Sequence, residues 1–395
     1  MTPGARVAAA IEILDRVLSG TPAEQALTNW ARASRFAGSG DRAAVRDHVF
    51  ASLRRKRSHA ALGGAMTGRG LLIGQLREAG ADCPGIFSGS GHAPPPLTAA
   101  EVARLDRAVE MERNIVLDCP DWLAPELEAA LGDAFEPVMS ALRDRATVFL
   151  RVNGARTTRE AARAALAAEG IGTRPHALAK TALEVTENPR KIQNAAAYRN
   201  GLVELQDAAS QAVVEMLPLA DAPRVLDYCA GGGGKALAMA SQAPRATVFA
   251  HDADPRRMRD LPARAARAGA VITCLDSREV AAGGAYDLVL CDAPCSGSGA
   301  WRRSPEAKWR LDPAGLEALC RTQARILDRA APLVAAGGHL AYATCSLLAP
   351  ENGAQIAGFR ARHRGWRLFS ERRLTPLDGG DGFYIALLQR EENVS

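Results

Sequence analysis

Two short segments carry the side chains best suited to chemistry. Asp292-Ala293-Pro294-Cys295-Ser296-Gly297-Ser298-Gly299 places a carboxylate three residues before a thiol, and Tyr342-Ala343-Thr344-Cys345-Ser346 sets a second thiol between two hydroxyls. A thiolate is a potent nucleophile, and a nearby acid can hold or stabilise the group it attacks. A lone buried cysteine is more often packing, but two at neighbouring strand ends beside a carboxylate point away from that. A third segment, Val225-Leu226-Asp227-Tyr228 followed by Cys229-Ala230-Gly231-Gly232-Gly233-Gly234-Lys235, reads as strand, glycine loop and helix. Glycines let a backbone approach a ligand closely, and a helix N-terminus favours a negative group. Ala236 after Lys235 breaks the G-x-x-x-x-G-K-[ST] phosphate loop. The loop therefore predicts a nucleoside-type cofactor, with Asp252 placed to take its ribose hydroxyls.

These residues need a scaffold that brings them together. From residue 205 onward, apolar β-type runs at 225–228, 247–252, 271–276, 286–292 and 339–346 alternate with helical patterns. That alternation predicts βαβ units and an α/β, Rossmann-like, mainly parallel doubly wound sheet. Ligands bind such sheets beyond the carboxyl ends of the strands, and Asp252, Asp276 and Asp292 each close a predicted strand on that rim.

The preceding chain has another texture. Val7, Ile11, Leu14, Val17 and Leu18 fall at helical spacing before Gly20, and Thr21-Pro22-Ala23-Glu24 supplies an N-cap, a first-turn proline and a capping-box glutamate. A third helix is predicted from Asp41, with Arg54-Arg55-Lys56-Arg57 at its end. Pro84, Gly85, Gly89, Gly91 and Pro94-Pro95-Pro96 mark a linker, after which Thr98-Ala99-Ala100-Glu101 restarts helix to about 112. A strand near 147–153 and a helix over 158–169 follow. The expected organisation is a helical domain over 1–81, a linker over 82–97, a helical connector over 98–145, a small α+β subdomain over 146–204 and a catalytic α/β domain over 205–395.

Composition bounds the function. With 395 residues, 47% hydrophobic and 24% charged, the chain is an ordinary globular one, not a disordered or fibrous one. No apolar run approaches the roughly 18–20 residues of a bilayer span, and the N-terminus lacks a signal peptide's apolar core. A cytoplasmic protein without a membrane partner, expected to be a monomer, follows. Eight cysteines include no paired Cys-x-x-Cys knuckles, and no His pair has zinc-ligand spacing, so no metal is expected. The net charge is only +5, yet residues 1–78 hold 12 basic and 6 acidic side chains. A one-ended charge of this kind suits a polyanion. Arg54, Arg55, Lys56 and Arg57 are one candidate contact, although bases at a helix C-terminus are favourable by themselves. Arg302, Arg303, Lys308 and Trp309 interleave cations with aromatic surface just after the thiol loop and are the stronger candidate; Asn188-Pro189-Arg190-Lys191 is a weaker one.

From about 146 to 390 the sequence resembles the RsmB/Sun (Fmu) branch of the RNA cytosine-C5 methyltransferases. The likeness rests on Leu205-Gln206-Asp207-Ala208-Ala209-Ser210-Gln211, the Cys229–Lys235 loop, Asp292–Gly299, Arg302–Trp309, Gly337–Ser346, Pro350-Glu351-Asn352 and Asp381-Gly382-Phe383-Tyr384. The helical N-terminus is similar, more weakly, to a NusB-like RNA-binding domain. The resemblance implies S-adenosyl-L-methionine as cofactor, against the Cys229–Lys235 loop, with Asp252 on the ribose and Asp276 on the adenine side. It implies Cys345 as the nucleophile at cytosine C6 and Cys295 as an aid to product release. Asp292, in protonated or shared-proton form, would bond the base at N3 and its amine, and could also lie near the cofactor. RNA is the implied partner, 16S rRNA or a small-subunit precursor foremost. The alternatives are tRNA or 23S rRNA, or a catalytically silent assembly factor, against which the retention of Cys345, Cys295 and Asp292 argues. Gly232 stands where the family usually has proline, and Ser304 where the nearer relatives have histidine.

Overall fold

Apolar spacing at the N-terminus builds one core and the alternating segments build others. The computed structural model describes residues 1–220 and 223–392, so the last three residues of the expected 205–395 domain lie outside it. It divides into two units, Met1–Arg145 with Trp301–Arg310, and Ala146–Ala300 with the chain from Leu311 onward.

In the first unit, helices Pro3–Leu18, Ala23–Ala33, Ser39–Arg54, Lys56–Gly63 and Gly68–Glu78 surround Ile13, Leu14, Trp30, Val45, Val49, Leu53, Leu71 and Leu72. The last two helices touch through bare backbone: a Cβ on Gly74 would lie 1.9 Å from the His59 carbonyl oxygen. The expected Thr21 cap does not form. The helix starts at Ala23 with Pro22 at the cap position, and the Ala23 N–H donates to Glu306 Oε2 at 3.1 Å. Glu24 instead takes Arg46 in a two-pronged pair at 2.6 and 2.5 Å. The Thr98–Glu101 capping box does form, but its helix ends at Leu105, short of 112. It buries none of its residues, and a short helix without packing has little to extend it. Within the expected linker, Cys83–Ile86 makes one helical turn and Phe87 is buried in the core.

The second unit opens with a four-stranded antiparallel sheet of β1 (Phe149–Val152), β2 (Thr173–Pro175), β3 (Ala182–Val185) and β4 (Val203–Leu205), in order β2-β3-β1-β4. The helix Arg159–Ala168, capped by the Thr158 hydroxyl, packs on it through Ala162 and Leu166. A seven-stranded sheet follows: β5 (Arg224–Asp227), β6 (Thr247–Ala250), β7 (Ile272–Cys274), β8 (Tyr286–Asp292), β9 (Val334–Thr344), β10 (Trp366–Leu374) and β11 (Phe383–Arg390). Its order is β10-β11-β9-β8-β5-β6-β7, parallel from β9 to β7 with β11 and β10 added antiparallel. This is the Rossmann-like α/β fold. The helices Ala208–Glu215 and Gly234–Gln242 contribute to one core, and Pro313–Ala330 and Gly353–Arg362 to another. After β7 the chain crosses to the other side of β5, so strand order reverses between β5 and β8. Ligand sites form where it does so.

Replacing Gly74 by alanine isolates the close helix contact. Alanine normally favours a helix interior by about 1 kcal/mol over glycine. Here the added methyl collides with backbone, and we expect Gly74→Ala to destabilise by about 1–3 kcal/mol, the usual scale of overpacking. Chemical denaturation checks the sign; a gain in stability would mean that the helices separate freely.

Candidate active site

At the reversal point β5 ends in Asp227 and runs straight into the glycine loop. Gly231 and Gly233 take φ of +52° and +78°, a region that disfavours side chains. A Cβ on Gly233 would also lie 2.2 Å from Leu261 Cδ1. The loop is tied to Asp252, two residues past β6, whose Oδ2 accepts from the Gly231 N–H at 2.9 Å and from Arg257 Nη1 at 3.1 Å. Asp252 Oδ1 accepts from the Asp254 N–H at 3.0 Å. Arg264 donates to the Gly232 carbonyl, and the Ala230 N–H to the His251 carbonyl. Asp276 falls two residues past β7, where it caps the helix Ser277–Ala282 by accepting the Arg278 and Glu279 N–H groups. Those amide bonds hold its carboxyl below the usual range. Cys229, at the head of the loop, is a thiol pushed upward by burial.

Lys235, in the first turn of the helix Gly234–Gln242, reaches across to β8. Its Nζ lies 2.6 Å from Asp292 Oδ2 and 4.9 Å from the centre of the Phe383 ring. Beside this pair Asp227 is 1% exposed, and neither of its carboxylate oxygens has a hydrogen-bond partner. Burial, then the negative charge of Asp292, push its carboxyl up to about 7, against an opposing pull from Lys235 and the Ala236 amide. Asp227 is a site residue that the sequence reading missed. Its signal was present: an acid ending a strand directly before a glycine loop. An orphaned buried carboxylate and a backbone cradle with no room for a side chain fit a nucleoside cofactor bearing an ammonium group.

The thiols meet on the same rim. Asp292 pairs in register with Ala343 on β9, and Cys345 follows two residues later. Its Sγ is 3.4 Å from Cys295 Sγ. The Cys295 thiol is pushed well up by its hydrogen bond with Cys345, then by burial and by the charges of Cys345 and Glu351. Cys295 thus tends to keep its proton, whereas attack requires a thiolate.

The basic and aromatic candidates come together in the helical unit. Trp309 Nε1 donates to the Leu53 carbonyl at 2.6 Å, Lys308 Nζ to the Arg54 carbonyl at 3.3 Å, and Arg54 Nε to the Arg302 carbonyl at 2.7 Å. Lys56 sits 4.5 Å over the Trp309 ring. Arg55 pairs with Glu78 and Asp144, and Arg57 with Asp121. Lys308 and Arg302 are 1% and 6% exposed, so neither presents its cation to solvent. Desolvation pushes Lys308 down to about 8. Arg303 is exposed.

Comparison with known proteins adds a family. The family described as 16S rRNA methyltransferase RsmB/F matches residues 214–389, and an RsmF/B-like ferredoxin-like domain matches residues 119–193. The ribosomal RNA small subunit methyltransferase B of Serratia proteamaculans is 32% identical over 282 residues, 68% of this chain and 66% of its own length, just under two thirds. Its namesake in Yersinia pseudotuberculosis is 30% identical over 299 residues, 72% of this chain and 69% of its own. The crystal structure of NSun6 from Pyrococcus horikoshii with SFG shares the fold, with a TM-score of 0.60 and 18% identity over 69% of this chain and 99% of that one.

The orphaned Asp227 carboxylate predicts a pH signature. Its folded pKa of about 7 lies above an unfolded value near 3.9, so the folded state binds the extra proton between them. Its contribution to stability is full below about pH 4 and is lost as pH rises towards 7. Asp227→Asn should remove that fall, so denaturation midpoints at pH 5 and pH 8 should differ less in the variant than in the wild type. An equal difference in both would mean that Asp227 is ionised when folded.

Proposed function

This chain belongs to the 16S rRNA methyltransferase RsmB/F family, and on that premise we propose that it methylates C5 of a cytosine in RNA, 16S rRNA foremost, using S-adenosyl-L-methionine and a covalent Cys345–C6 intermediate. The observation that carries the chemistry is the 3.4 Å approach of Cys295 and Cys345 beside Asp292 at the strand-order reversal. When bound, S-adenosyl-L-methionine supplies an electrophilic methyl group. The backbone of Cys229, Ala230, Gly231, Gly232, Gly233 and Gly234 would hold its methionine end, with Lys235 and Asp292 bordering that site. Asp227 would take the ammonium, Asp252 the ribose and Asp276 the adenine side. That the fold is shared with a protein solved with SFG, an analogue of this cofactor, supports the reading.

Cytosine C5 is a poor nucleophile until C6 receives an electron pair. Cys345 thiolate adds to C6, and the pair shifts onto C5. Asp292, beside Lys235, would share a proton with N3 and accept a hydrogen bond from the exocyclic amine, and so stabilise the charge that develops there. C5 would take the methyl group as the sulfonium departs as a neutral thioether, H5 would pass to water as a proton, and its electron pair would break the Cys345–C6 bond and return the thiolate. Cys295, 3.4 Å from the Cys345 sulfur, would assist the release step. The target base must leave its stack to enter such a pocket. Arg54, Arg55, Lys56, Arg57 and Arg303 are proposed to contact the RNA, with Arg302, Lys308 and Trp309 packed beneath them.

The two thiols can be told apart by trapping. Cys345→Ala should abolish methyl transfer and give no covalent RNA adduct. Cys295→Ala should attack, methylate and then stall, leaving a nuclease-sensitive retarded band on a denaturing gel. A trapped band in the Cys345 variant instead would invert the roles, and full activity in both variants would make the thiols structural.

A further inference from the structure

One side chain outside both thiol motifs joins them. Glu351 is fully buried in the short turn Ala349–Glu351. Its Oε1 accepts from the Ser296 N–H at 2.8 Å and from Gln323 Nε2 at 2.9 Å. Its Oε2 accepts from the hydroxyls of Ser296 and Ser346, both at 2.5 Å. Ser296 follows Cys295 and Ser346 follows Cys345, so one carboxylate grips the residue next to each thiol. The grip is braced from outside. Tyr342 donates its hydroxyl to the Glu351 carbonyl at 2.7 Å, and Gln323 Nε2 also donates to the Pro294 carbonyl at 3.0 Å. Asn352 Nδ2 donates to the Ser346 carbonyl at 2.9 Å, while Thr344 Oγ1 donates to Asn352 Oδ1 at 2.5 Å.

These four donors are neutral. A buried carboxylate without a cation is costly, and packing alone would be served better by an apolar residue of similar size. What the carboxylate supplies that an apolar residue cannot is simultaneous hold on two loops. We propose that Glu351 is a positioning residue that keeps the Cys295 and Cys345 loops at their 3.4 Å approach, acting through Ser296 and Ser346 without touching the RNA. This rests on the reading of Cys345 as nucleophile and Cys295 as release thiol. Its negative charge also faces Cys295, alongside Cys345 and Tyr342, while Lys235 faces Cys345.

Glu351→Gln keeps the size, removes the charge and puts an NH2 group where donors converge. In the full-length protein kcat should fall about 100-fold, the scale on which a misplaced reacting group slows chemistry. The KM for RNA and the affinity for S-adenosyl-L-methionine should hold. Iodoacetamide labelling of Cys295, read by peptide mass, should shift to lower pH, because a facing negative charge has gone. An unchanged kcat would overturn the proposal, as would cofactor affinity falling together with melting temperature while the labelling profile stays fixed. If Glu351→Gln does not fold, Glu351→Asp keeps the charge but shortens the reach: a lowered kcat with an unmoved labelling profile is expected, and wild-type kcat overturns the proposal. Absence of methyl transfer by the wild type would instead fail the functional reading, and the labelling profile would still decide the place of Glu351.

Discussion

The ion pair between Lys235 and Asp292 is the contact on which the site depends. It closes the gap at which strand order reverses, tying the helix after the glycine loop to the end of β8 at 2.6 Å. Lys235 is buried, and a buried ammonium is tolerated only where negative groups answer it. Asp292 answers directly, and Asp227 adds a second carboxyl nearby. The pair therefore does two things with one geometry: it fixes the cradle proposed for the cofactor and orients the acid proposed to face the base. Loss of either partner would leave an uncompensated charge at the centre of the rim.

From that point the chain spends its length on the placement of loops. The segment after β8 carries Cys295 and then passes, from Trp301 to Arg310, into the helical unit before returning at Leu311. In that unit Glu306 caps a helix and Trp309 bonds the backbone at Leu53. A segment that reads locally as a basic, aromatic surface loop is thus part of a core, which is why its cations are a mixture of buried and exposed groups. The same economy appears at β9, where a single buried carboxylate serves two loops.

What was legible in the sequence was what local pattern decides. The strand at 286–292 has the bounds of β8, the helix expected over 158–169 runs Arg159–Ala168, the Thr98 capping box forms, and the three acids at 252, 276 and 292 lie at or just beyond the ends of β6, β7 and β8. What was not legible depends on distant partners. Thr21 lost its role to Glu306, 283 residues from Ala23, and no local window holds both. β10, with Arg367, Glu371, Arg372 and Arg373 along it, is an edge strand whose charged face disguises its alternation. Asp227 escaped notice because its significance lies in the lack of partners around a buried carboxylate, and sequence does not display burial.

Replacement of hydrogen at C5 is the step that sets the proposed chemistry apart from methylation at nitrogen or ribose. The most direct measurement uses 16S rRNA carrying tritium at C5 of its cytosines, prepared from cells without this protein. With S-adenosyl-L-methionine, the protein should release tritium to water in step with the methyl groups it transfers. Methyl transfer without tritium release would contradict attack by Cys345 at C6 and place the methyl group on another atom.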